Sequence, residues 1–189
     1  MKLNQALKSI LICGTLLFSS ISFSQSYKTK KAFQDAGDIL EYALPFGSIL
    51  TTIVINDKKG TWQFAKAFGT NLAITYALKF AINKPRPGHT MNGKSFPSGH
   101  TSGSFQSASF IQRRYGWKYG LPAYVVAGFV GYSRIWGHHQ KHDGWDVLAG
   151  AILGIGSTYL FTTPYQKEHF ELALDSGENN YSIGFKYKF

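Results

Sequence analysis

Long uncharged apolar stretches alternate along this chain with short polar ones, and their lengths predict the elements. From Asp35 to Ile55 the chain is apolar apart from Asp35 itself, Asp38 and Glu41. That length predicts one or two helices, with Pro45 kinking or dividing them because proline removes a backbone donor. After a polar turn at residues 56–60, Phe64, Phe68, Leu72, Tyr76 and Phe80 recur every four residues. This spacing is close to the helical period, so a helix is expected over 61–83. Pro85 and Pro87 end it, and residues 84–97, with three prolines and two glycines, predict a loop. From Ser98 the pattern is helical again, with Phe105, Ala108 and Ile111 on one face. Small residues (Ser102, Gly103, Ser104, Ser107) form another face that permits close packing, and Gly116 marks the end. The uncharged runs 119–133 and 147–166 exceed strand length and read as helices buried in a bundle or at a membrane. The second is just long enough to span a bilayer. The tail alternates at Tyr181, Ile183, Phe185, Tyr187 and Phe189, a period of two that predicts a short strand or an extended tail. The fold class is therefore all-α, a helical bundle of about five or six helices.

The first 24 residues follow a different logic. Lys2 and Lys8 flank or precede an apolar run over 10–18, and small polar residues lead to Ser24. This is the pattern of a secretory signal peptide cleaved after Ser24, with an uncleaved anchor helix as the alternative. Either way the remainder, 25–189, is expected to be exported as one domain. The only cysteine, Cys13, lies in that leader, so disulfides, thiolate catalysis and cysteine metal sites are excluded from the exported part.

With 44% hydrophobic and 16% charged residues, the chain has enough apolar surface to fold and too little charge to be disordered. A mean hydropathy of -0.13 is low for a chain made wholly of membrane spans, which favours a peripheral or partly embedded protein. The formal charge is +10, and without Lys2 and Lys8 it is still strongly positive. A basic balance suits nucleic acid, anionic headgroups or a phosphorylated substrate; export argues against nucleic acid.

Three polar islands carry the candidate chemistry. Lys79 and Lys84-Pro85-Arg86-Pro87 place cations at a helix end, able to offer an ammonium and a planar guanidinium to one anion or to complement the helix dipole. Pro97-Ser98-Gly99-His100 opens a helix, where free N–H groups make an anion seat and where serine is also an ordinary N-cap. Ser133-Arg134 is followed by His138, His139, His142 and Asp146. His142 and Asp146, four apart, would share one helical face, so that the carboxylate could orient the ring and leave its other nitrogen as a nucleophile. A zinc site is the competing use of clustered histidines, although adjacent His138 and His139 cannot both reach one ion from a helix.

Together these islands resemble the type 2 phosphatidic acid phosphatase superfamily. Its pattern is Lys, six residues, Arg-Pro; then Pro-Ser-Gly-His; then Ser-Arg, five residues, His, three residues, Asp. Lys79 with Arg86-Pro87, Pro97 to His100, and Ser133-Arg134 with His142 and Asp146 meet it in order. One departure is that seven residues separate Arg134 from His142. The family spacing falls on Gln140, which cannot be a nucleophile, so a two-residue bulge before His142 is expected and His139 is the fallback. The resemblance implies that Lys79, Arg86, Arg134, Ser98 and Gly99 bind phosphate, that His142 is the nucleophile oriented by Asp146, and that His100 is the acid and base. It implies no metal and no cofactor. The expected partners are a phosphorylated lipid or other phosphate ester and a membrane, with the site on its periplasmic face. The rival expectations are a soluble periplasmic acid phosphatase, a vanadium haloperoxidase-like enzyme, and a degenerate envelope protein that only binds anionic lipid.

Overall fold

The computed structural model describes residues 27–87, 93–165, 170–177 and 180–187; the expected signal peptide over 1–24 lies outside them. Five helices come first: α1 (Tyr27–Val54), α2 (Lys58–Ile82), α3 (Gly99–Tyr115), α4 (Trp117–Trp136) and α5 (Gly144–Phe161). A hairpin follows, β1 (Phe170–Gly177) antiparallel to β2 (Asn180–Tyr187), in a register that pairs Phe170 with Tyr187 and Gly177 with Asn180. The period-two tail is thus a strand over its described part, and Phe189 lies outside the described residues.

One expectation is settled and one boundary is revised. The segment around Pro45 is one helix, and it starts eight residues earlier than the apolar run, taking in Lys28, Lys30 and Lys31. Lys31 and Asp35 pair at 2.7 Å one turn apart, and the helix packs against α2, α3 and α4. The aromatic series on α2 does not mark its inner face. A step of four residues turns about 400°, so the stripe drifts about 40° per step. Phe64 is in the core, whereas Leu72, Tyr76 and Phe80 are exposed. The inner face runs through Gly60, Phe64, Ala67, Asn71 and Thr75.

The central helix is α3, which contacts all four others. Its small residues allow this. At Gly154 of α5 an added Cβ would lie 2.4 Å from the Ser102 carbonyl oxygen, and at Gly150 2.6 Å from that of Ser98, so the two backbones nearly touch. The interior formed in this way is largely polar. Ser48, Thr52, Asn71, Thr75, Ser102, Gln106, Ser107 and Thr158 are buried, and hydrogen bonds such as Ser102 Oγ to Asn71 Oδ1 (2.6 Å) and Thr158 Oγ1 to the Gln106 carbonyl (2.9 Å) cross between helices. Apolar side chains point outwards instead: Ile39, Phe46 and Leu50 on α1, Leu121 and Val125 on α4, Ile152 and Leu160 on α5. This is the reverse of a bundle packed in water. Among the described residues α5 is the one helix long and apolar enough to cross a membrane, and most of it is not buried.

Candidate active site

The chain folds its polar islands to one end of the bundle. Asn83, in the left-handed conformation with φ 45°, stops α2 and releases the loop that carries Arg86. Ser98 caps α3: its hydroxyl oxygen accepts from Thr101 Oγ1 at 2.9 Å and lies 3.4 Å from the Thr101 N–H. On α5, Asp143 and Asp146 form a reciprocal capping box, Asp146 N–H to Asp143 Oδ1 at 3.0 Å and Asp143 N–H to Asp146 Oδ2 at 3.2 Å. Such a box satisfies two orphan donors of the first turn. The Ser98 N–H donates to the Asp146 carbonyl at 2.9 Å, tying the start of α3 to the start of α5.

Between these ends lies a cavity of about 630 Å³. Lys79, Arg86, Gly99, His100 and His142 all line it, together with Lys94 and Lys141 from the loops, Glu41 and Tyr42 from α1, and Leu72, Thr75 and Tyr76 from α2. Lys79 Nζ donates to the carbonyls of Pro97 (2.6 Å) and Lys94 (3.0 Å), which leaves one of its three donors for a ligand. Arg86 Nε is buried and has no partner among the described residues. A buried guanidinium donor without an acceptor is costly, and an anion in the cavity would satisfy it.

His142 is buried, two residues before α5 and not on it. The expected pairing with Asp146 is made all the same, across the helix start, with Nδ1 at 3.4 Å from Asp146 Oδ2 and also 3.4 Å from Ser95 Oγ. Burial, then the Lys79 cation, with Arg86 adding to it, push the imidazolium pKa down to about 4 against the opposing pull of Asp146. At neutral pH the ring is therefore neutral, and with Nδ1 directed to Asp146 its Nε2 carries a free electron pair. Asp146 is itself fixed on every side: Lys84 Nζ donates to Oδ1 at 2.8 Å, and the Ser95 hydroxyl donates to Oδ2. Lys84 also meets Asp143 at 2.5 Å. These hydrogen bonds outweigh burial and hold the Lys84 pKa above, and that of Asp143 below, their ordinary values.

The seven-residue spacing has a simple local form. A turn closes with Gln140 N–H to the Gly137 carbonyl at 3.2 Å, and Gln140 takes the left-handed φ of 39°. Gln140 and His139 are exposed and do not line the cavity. His138 packs between His139 and Tyr27 instead.

Two expected phosphate ligands stand elsewhere. Ser98 is spent on capping and is buried. Arg134 is buried too, but its guanidinium faces α1, where it donates to Asp38 and to the Gln34 carbonyl (3.0 Å), and it also donates to Ser133 Oγ on its own helix; it does not line the cavity. The reason is Asp38, whose carboxylate answers its charge. Asp38 in turn lies 3.4 Å from His100 Nε2, and Glu41 Oε2 lies 2.6 Å from the same nitrogen. Asp38, Glu41 and His100 are the one group of metal-ligand type among the described residues. With Arg134 already on Asp38, a dication there would face a neighbouring guanidinium.

The sequence pattern of the PAP2 superfamily matches residues 60–170, more than half of the chain. Over 82% of its length, and 84% of that protein's, the chain is 28% identical to the lipid A 4'-phosphatase of Helicobacter pylori. It is 33% identical to the undecaprenyl-diphosphatase BcrC of Bacillus subtilis over 48% of this chain and 50% of the other. A lipid A 1-phosphatase of Porphyromonas gingivalis is 39% identical over 42% of this chain but only 18% of its own. Among solved structures, LpxE of Aquifex aeolicus shares the fold, with a TM-score of 0.63, 21% identity, and coverage of 77% of this chain and 92% of that one.

Proposed function

Because this chain belongs to the PAP2 superfamily and is a phosphatase, we propose that it removes phosphate from a membrane lipid, a monoester or diphosphate headgroup, through a phosphohistidine on His142. The observation that carries the reading is the shared cavity: a neutral histidine backed by Asp146 faces the same space as Lys79, the unpartnered Arg86 and the start of α3.

In this reading Lys79, Arg86 and the Gly99 N–H hold the phosphoryl oxygens. Fixed cations and backbone dipoles stabilise the charge that spreads over those oxygens in the transition state. His142 Nε2 attacks phosphorus as the ester bond breaks, and His100 gives its proton to the leaving oxygen. His100 then takes a proton from water, which attacks phosphorus and frees His142. Asp146 orients His142 throughout. No metal or cofactor enters the scheme.

A lipid substrate is supported by three features. The cavity wall continues into Tyr42, Leu72 and Tyr76, all solvent-facing apolar side chains on α1 and α2. The bundle is polar inside and apolar outside. The relatives are named for lipid phosphates. We place the bundle in a membrane with the cavity at its periplasmic face, delivered there by the leader over 1–24. The test is phosphate release by the purified full chain from lipid A and from undecaprenyl diphosphate, with His142→Ala alongside. Release from neither, or release that survives His142→Ala, overturns the proposal.

A further inference from the structure

We propose that Glu41, with Asp38 beside it, is the positioning carboxylate of His100, so that the acid and base of the reaction has its own carboxylate partner as His142 has Asp146. Asp38 and Glu41 are three residues apart on α1 and therefore share a face. They are the two acids in an otherwise apolar stretch, and that face turns inwards: Glu41 lines the cavity and only 18% of its side chain is exposed. Glu41 Oε2 is 2.6 Å from His100 Nε2, at ion-pair distance but not aligned on the ring N–H, and this buried oxygen has no other hydrogen-bond partner among the described residues, so a small turn of the ring would satisfy it; Asp38 is 3.4 Å from the same nitrogen and is held in place by Arg134. Charged groups on the inner face of an apolar helix are costly and mark functional positions. Both acids lie outside the 60–170 segment that carries the superfamily pattern.

The chemistry follows from the ring's two nitrogens. With Glu41 on the Nε2 side of the ring, Nδ1 is the atom that serves the substrate. During ester cleavage the Nδ1 proton passes to the leaving oxygen as the phosphorus–oxygen bond breaks and the bond to His142 forms. In the second half Nδ1 takes a proton from the attacking water as the phosphorus–nitrogen bond breaks. In both halves Nε2–H stays on Glu41, which fixes the tautomer and compensates the imidazolium. Arg134 then acts at one remove, by holding Asp38, which explains why it turns from the cavity.

This inference rests on the role given to His100 above. General acid assistance matters for a poor leaving group and little for a good one. The experiment is kcat/KM of the full chain on an alkyl phosphate and on nitrophenyl phosphate, for wild type, Glu41→Gln, Glu41→Asp, His100→Ala and the double variant Glu41→Gln/His100→Ala. The expected result is a loss of about 30-fold for Glu41→Gln on the alkyl ester and less than about 3-fold on the nitrophenyl ester, with partial recovery in Glu41→Asp. In the His100→Ala background, Glu41→Gln should cost nothing further. Equal losses on both esters, or additive losses in the double variant, overturn the role of Glu41 while leaving that of His100. A His100→Ala enzyme that handles both esters like wild type overturns both. If a chelator abolishes wild-type activity and Glu41→Gln removes that sensitivity, the three side chains bind a cation and the proposal fails.

Discussion

The contact between α3 and α5 can be tested with single methyl groups. At Gly150 and Gly154 the nearest atoms to an added Cβ are backbone oxygens of the α3 N-cap Ser98 and of Ser102, at 2.6 and 2.4 Å. Ordinary contact needs about 3.5 Å. Backbone cannot rotate away, so α5 must retreat by roughly 1 Å in either variant, an overpacking cost of about 1–3 kcal/mol. Gly150 lies one turn beyond Asp146, whose carbonyl accepts from the Ser98 N–H at 2.9 Å. A retreat there separates His142 from Lys79 and Gly99, and misplacement by about 1 Å costs on the order of 100-fold in rate. Gly156→Ala is the control. Its Cβ would meet nothing within 4 Å, and alanine in a helix interior is favoured over glycine by roughly 0.5–1 kcal/mol. The assay is thermal unfolding in detergent with kcat/KM for phosphate release. Gly150→Ala is expected to lose both stability and activity, Gly154→Ala mainly stability, and Gly156→Ala neither. If all three behave like wild type, the backbones do not approach as described and the reasoning is wrong.

Other outcomes follow from the same geometry. If His142 is the neutral nucleophile proposed, its pKa of about 4 puts the acid limb of kcat/KM near pH 4; a limb near the ordinary histidine value of about 6.5 would count against it. Gly99→Ala should fold normally, because its Cβ meets Lys79 Cε at 3.7 Å, yet lose turnover by crowding the phosphate; unchanged kinetics would remove Gly99 from the anion seat. At the opposite end, Arg114 pairs with Asp57 through two 2.7 Å bonds, and Arg114→Ala, which strips a buried carboxylate of its cation and leaves it only the Gly60 N–H and the Tyr115 hydroxyl, should cost about 3 kcal/mol while kcat/KM of the remaining folded enzyme is kept. Asp57 and Asp143 both have lowered pKa values. Their contribution is present above the unfolded carboxylate range and lost as pH falls through the folded values. Unfolding midpoints should therefore drop below about pH 4 in wild type, and less steeply in Asp143→Asn.

What the sequence disclosed and what it hid have physical causes. That Lys79, Arg86, Gly99, His100 and His142 share one cavity was legible because helix ends concentrate polar groups and the three islands each sit at one. The helices were legible from the lengths of the apolar runs. Ser95 was not: a serine in a loop carries no periodicity, and only folding shows that its hydroxyl reaches Asp146. Lys84 looked like part of the anion clamp, yet two carboxylates capture it first. Arg134 misled for a similar reason, since its partner Asp38 is 96 residues away. Asp38 and Glu41 did leave a trace as lone charges in an apolar stretch, but their convergence on His100 depends on how α1 crosses α3.

The polar, small-residue interior also sets which changes the protein can tolerate over evolutionary time. Inner positions such as Ser102, Ser107 and Thr158 are limited by size, so serine-to-alanine exchange should be accepted where serine-to-leucine is not. Outer positions such as Ile39, Val125 and Ile152 should accept nearly any greasy residue and reject charge. A saturation scan of this chain would then read as the mirror image of one from a cytosolic enzyme, with chemical freedom in the middle and steric freedom on the outside.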